Sequence, residues 1–130
     1  MNNRVSILVI LASALALAAV ALPAVHAQDP AVVAPEIYKC TFENEHTRVC
    51  EVTFAPGATI APHSHPQHLA YVLAGGKIRI TVVGGEPQEV ELTPGASLWT
   101  PAETHHAENI GATEVKLLVV EFRDLPAPSM

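Results

Sequence analysis

From Gly57 to Gly75 the chain reads Gly-Ala-Thr-Ile-Ala-Pro-His-Ser-His-Pro-Gln-His-Leu-Ala-Tyr-Val-Leu-Ala-Gly, with His63, His65 and His68 within one short stretch. On a strand, residues i and i+2 face the same side. The His63 and His65 imidazoles can therefore enter one interior at a separation that a single metal ion bridges. Pro66-Gln67 interrupts the alternation, which can return His68 to the same space. The apolar run Leu69 to Leu73 follows, closed by Gly75-Gly76 as a strand is closed by a turn.

The flanking sequence has the same short rhythm. Upstream, Tyr38 to Phe42 and Val49 to Phe54 alternate, with the polar stretch Glu43 to Arg48 between them as a hairpin loop, and Pro56-Gly57 makes a turn. Downstream, Lys77 to Val82 alternates cleanly and Gly84-Gly85 turns it back into Val90-Glu91-Leu92. Thr93-Pro94-Gly95 precedes Ser97 to Thr100, and Val115 to Phe122 is the last run. Ten of the eleven prolines follow residue 27 and fall mainly between these runs. No stretch after residue 27 carries a sustained helical period with caps. About eight short strands with frequent turn signals predict an all-β sandwich or barrel, in a chain long enough for one domain.

A second histidine pair, His105-His106, decides more. Gly57, five residues, His63-x-His65 and then Tyr71-Val72-Leu73-Ala74-Gly75 resembles the first motif of the cupin superfamily. Gly95, five residues, Pro101-Ala102, then His105, three residues, Asn109 and Gly111 resembles the second. The resemblance spans residues 42–122 and is to a small single-domain cupin. It implies a double-stranded β-helix, a jelly-roll barrel of two sheets, with a metal in its mouth. His68 occupies the place of the usual glutamate ligand, and Glu103 that of a second-motif glycine. The ligand set so implied is His63, His65, His68 and His105. The pattern His-x-x-x-Asn selects His105 over His106, and strand parity agrees: His105, Ala107 and Asn109 face one way, His106 and Glu108 the other.

Ligand type alone leaves the metal as any divalent transition ion among Fe, Zn, Ni, Mn and Cu. Four neutral imidazoles add no negative charge, so the ion keeps its full charge and favours a small anionic partner. The resemblance implies a metal-dependent enzyme of dioxygenase or isomerase type. A non-catalytic module that binds a metal or a small ligand is the alternative, because one fold hosts many functions.

The hydrophobic share of 49% is concentrated at the start of the chain, where residues 1–27 hold 20 of the apolar side chains. Arg4, the uncharged run Val5 to Leu22 and Val25-His26-Ala27 read as a cleaved signal peptide, with an uncleaved membrane anchor as the rival. The expected organisation is a signal peptide at 1–27, a Pro/Ala-rich linker at 28–36 and the barrel at 37–125. The protein is then exported, periplasmic or secreted, with no stable membrane insertion after cleavage. Residues 28–130 carry 6 Lys+Arg against 13 Asp+Glu and no basic cluster, which argues against nucleic acid. A homodimer is among the expected assemblies. Cys40 and Cys50 lie symmetrically about the hairpin loop, on the same parity as Phe42, Val52 and Phe54 on the apolar face. A disulfide between them is expected in an oxidising compartment. Tyr71 and Trp99 are expected in the core, and Glu103 on a solvated loop.

Overall fold

Among the described residues, alternating side chains and glycine or proline turns build nine antiparallel strands and one helical turn. The computed structural model describes residues 28–124; residues 1–27, expected as a signal peptide, lie outside the described residues. The strands are β1 (Tyr38–Glu43), β2 (Thr47–Phe54), β3 (Thr59–His65), β4 (His68–Ala74), β5 (Gly76–Val82), β6 (Gln88–Leu92), β7 (Ser97–Thr100), β8 (Glu103–Asn109) and β9 (Val115–Phe122). One sheet runs β1-β2-β9-β4-β7 and the other β3-β8-β5-β6. The two sheets make an all-β jelly-roll barrel. Gly57 and Gly95 both have positive φ, of 75° and 86°, which explains glycine at the head of each motif. β8 is the strand that hydrophobic alternation does not show, because its inward residues are His105, Ala107 and Asn109.

Register sorts the interior into layers. In the five-stranded sheet Arg48, Glu121, His68 and Thr100 form one row across β2, β9, β4 and β7. Two residues further along each strand, Cys50, Val119, Ala70 and Leu98 form the next row, and Val52, Leu117 and Val72 a third. In the facing sheet His63 pairs with His105, itself opposite Val82, and Ala107 lies between Ile60 and Ile80. A polar layer thus caps an apolar one. Because the side-chain period is two, a slip of one residue in any strand would send its layer outward.

The segment 28–36, expected as a linker, is part of the barrel. Gln28 bridges His63 in parallel, and its carbonyl accepts from the Ser64 N–H. Asp29 caps the helical turn α1 (Pro30–Val33) through the Ala31 N–H, while Pro30 and Ala34 are buried. Composition missed this because the segment is anchored by backbone hydrogen bonds, one ion pair and the burial of small residues, Pro30 and Ala34 with Ala31 and Val33 beside them, which a Pro/Ala-rich stretch does not announce.

The disulfide joins Cys40 to Cys50, which face each other across β1 and β2. Only Cys50 is buried, however. A register shift between Cys40 and Phe42 turns the outer strand away from the core, and Phe42 is 53% exposed. Tyr71 and Trp99 also lie outside, at 41% and 54% exposure, contrary to the expected core positions. They share the outer face of the five-stranded sheet with Leu73 and with Phe122, on which Trp99 stacks at 5.6 Å.

Candidate metal centre

The polar layer gathers four imidazoles from both sheets. His63 and His65 come from β3, His105 from β8, and His68 from the start of β4 after Pro66-Gln67 carries the chain between sheets. All four are buried, whereas His106 faces out beside them. His63, His65 and His105 offer donor atoms within 4.8 Å of one another, a geometry compatible with metal binding. His68 packs on His65, their ring centroids 4.6 Å apart, outside that triad.

Each ring is oriented through Nδ1. His63 donates to the Ala61 carbonyl at 2.8 Å and His68 to the Pro66 carbonyl at 3.0 Å. His65 donates to Glu121 Oε1 at 2.9 Å and His105 to Glu103 Oε1 at 2.6 Å. With the proton held on Nδ1, the Nε2 lone pair is left for another partner, as in metal-ligating histidines. At His63 that atom has none: Nε2 is fully buried and makes no hydrogen bond among the described residues. A buried polar atom without a partner is costly, and a metal ion would satisfy it. The Tyr38 hydroxyl donates to His65 Nε2 over 3.4 Å. Burial, reinforced by Glu121, keeps that phenol protonated.

The electrostatics favour neutral rings. Burial pulls His63 and His68 down to about 4, with neighbouring imidazoles adding to the effect. Burial lowers His105 as well, against the opposing pull of Glu103. Neutral imidazole is the form that binds metal.

The site is not free of negative charge, as the ligand set alone had implied. Glu121, 1% exposed, stands directly behind His65 and accepts from Arg48 Nε at 2.7 Å and Nη2 at 3.1 Å. Burial pushes its carboxyl up, but His65 and Arg48 outweigh burial and hold it at about 2. Arg48 also pairs with Asp29, so a chain of charges runs from the N-terminal segment to the imidazole. Glu103 is not a solvated loop carboxylate; it is the acceptor for His105, which accounts for its place in the second motif. Glu121, Arg48 and Tyr38 escape a reading of the sequence because their partners are far along the chain. The signal that could have found Glu121 is parity, since an acid ends the otherwise apolar inward face of β9, Val115, Leu117 and Val119.

Between the sheets, next to His65, His68 and His105, lies a cavity of about 180 Å³. Its remaining wall is mostly apolar, drawn from the inner faces of all nine strands named above, with Tyr38, Thr100 and an edge of the otherwise exposed Trp99 added.

The cupin domain family matches residues 50–121. Among solved structures, the chain resembles a cupin domain from Bordetella pertussis Tohama I at 25% identity and a TM-score of 0.61, covering 66% of this chain and 91% of that one. A cupin superfamily protein from Desulfitobacterium hafniense DCB-2 has 21% identity and a TM-score of 0.53, over 68% and 77% of the two chains. The DMSP lyase DddQ from Ruegeria pomeroyi DSS-3 has 20% identity and a TM-score of 0.52, over 72% and 50%; the last two likenesses are of fold. No curated protein matches this sequence.

Proposed function

The chain belongs to the cupin domain family, and from that premise we propose that it binds one divalent transition metal ion through His63, His65 and His105, with His68 as the fourth imidazole. One observation carries the reading: the Nε2 of His63 is buried without a partner, beside rings whose Nδ1 protons are already committed. When bound, Fe, Zn, Ni, Mn or Cu would supply a Lewis acid that polarises a coordinated small anion. The chain's own residues orient the imidazoles, keep charge off them and shelter the site from bulk water. The reading includes export to the periplasm or beyond, supported by the leader-like composition of residues 1–27 and by a disulfide suited to an oxidising compartment. It also includes a homodimer, supported by the exposed Tyr71, Leu73 and Trp99 on one sheet face. An enzyme of dioxygenase or isomerase type is the second reading, favoured by the cavity that abuts three of the four imidazoles.

The test is elemental analysis of the mature protein purified without a polyhistidine tag, then again after loading and dialysis against a weak chelator. About one metal ion per chain is expected, lost in His63→Ala and His105→Ala and kept in His106→Ala. A wild-type chain that retains no metal after loading refutes the proposal. Light scattering of the same sample reads the oligomeric state, and intact mass reads the N-terminus, expected at Gln28.

A further inference from the structure

The chemistry of the cavity is set by the row beneath the histidines. There the five-stranded sheet contributes Ala70 and the four-stranded sheet Ala107, each directly in register with larger neighbours, Val119 and Leu98 on one side and Ile60 and Ile80 on the other. Two alanines where the barrel has room for leucines leave the space unfilled. Below, Val52, Leu117 and Ile78 close it. Apart from the histidines, no Asp, Glu, Lys or Arg side chain among the described residues lines the space. Arg48, the nearest buried cation, is engaged by Glu121 and Asp29 behind the wall. The polar side chains of the lining, the histidines, Tyr38, Thr100 and Trp99, therefore gather toward the imidazole end.

We infer that the cavity takes a small molecule with one metal-binding head, such as a carboxylate, and a compact apolar body of aryl or branched-alkyl type. The head-group half of this inference rests on the metal reading above; the body half rests on the cavity alone. A second charge or a run of hydroxyls on the body would be buried against aliphatic carbon without a partner, which is unfavourable. Size sets the other limit. A cavity of about 150 Å³ lined by aliphatic and aromatic side chains accommodates benzene, so a single ring matches the volume here. Each methylene placed in such a space tightens binding by about three- to fourfold.

The experiment uses the mature, zinc-loaded protein titrated calorimetrically with acetate, malonate and benzoate. Benzoate is expected to bind at least tenfold tighter than acetate, and malonate to gain nothing from its second carboxylate beyond chelation in solution. Ala70→Leu and Ala107→Leu each fill the space from one sheet; both should bring benzoate down to the acetate level while zinc content stays at one per chain. Circular dichroism and melting confirm that each variant is folded, and filling a void is expected to raise the melting temperature. Toluene, which has a body but no head, is titrated into the metal-free protein and followed by the methyl signals of Leu98 and Leu117. Zinc binding with benzoate and acetate within twofold of each other overturns the inference and leaves the metal reading standing. Toluene uptake in a chain that never holds zinc keeps the apolar body and removes the metal head. An advantage for benzoate that survives both alanine replacements overturns the location.

Discussion

Glu121→Gln is the substitution that most sharply separates structural from functional roles in the polar layer. The carboxylate accepts from three donors: Arg48 Nε at 2.7 Å, Arg48 Nη2 at 3.1 Å and His65 Nδ1 at 2.9 Å. Glutamine keeps the shape but brings one acceptor and one donor group. If its amide NH2 faces Arg48, two donors collide beside a buried cation. If it faces His65, Nδ1 must become the acceptor, which moves the ring proton to Nε2 and removes the lone pair a metal needs. The stability at stake follows from the carboxyl being held at about 2 rather than its ordinary 4.5. That difference is worth about 3 kcal/mol near neutrality, within the usual loss of about 3–5 kcal/mol when one partner of a buried pair is removed. The folded value is depressed, so this stability is present above pH 4.5 and lost as pH falls through about 2. Urea unfolding of the metal-free protein at neutral pH should therefore show a loss of about 3 kcal/mol. Competition titration should show zinc affinity lower by about 10–100-fold, and imidazole nitrogen shifts should place the His65 proton on Nε2. Full destabilisation with unchanged zinc affinity and the proton still on Nδ1 would refute the tautomer argument.

Three further outcomes are expected. In metal-free protein, His63 and His68 are held at about 4 against an ordinary 6.5, so an unfolded chain takes up protons that the fold refuses. Stability should fall between pH 6.5 and 4, by at most about 3 kcal/mol per ring, and urea midpoints that stay flat over this range would contradict it. Reduction of Cys40–Cys50 should cost about 2–3 kcal/mol in the chain-entropy picture, read by denaturation with and without a phosphine reductant; two reactive thiols in unreduced, unfolded protein would end the idea. Asn109→Ala removes side-chain bonds to the Phe54 and Thr113 carbonyls and to the Gly111 N–H. It should destabilise by about 3 kcal/mol with zinc content unchanged, whereas His105→Ala should lose zinc.

The two glycine-led motifs were legible because local chemistry carries them. Gly57 and Gly95 hold positive φ, and His63 and His65 alternate on one strand, so spacing along the chain becomes geometry directly. Parity also put His105 inward and His106 outward without a contact in hand. What escaped depends on pairing between distant strands. Arg48 and Glu121 meet only because β2 and β9 are in register, and nothing in either segment announces the other. Tyr71 and Trp99 misled because bulk suggests the core, whereas their strand positions place them outside. The docking of 28–36 was hidden because proline and alanine mark a linker by composition, while here they are buried and tied down by a backbone carbonyl and Asp29.

The last strand among the described residues, β9, lies in the middle of its sheet, hydrogen-bonded to β2 on one side and β4 on the other. A ribosome delivers β2 and β4 long before the strand that joins them, so the sheet has no centre until Phe122 has emerged. Such non-local pairing makes folding slow and holds it back until β9 has been made. For a polypeptide threaded unfolded through a membrane pore, as proposed for this one, delay is an advantage: the nascent chain stays loose enough to translocate. It also puts the metal under the same timing, because Glu121, which aligns His65, arrives with the same strand. Under the proposed export and metal binding, ion capture then waits for the compartment in which β9 first pairs.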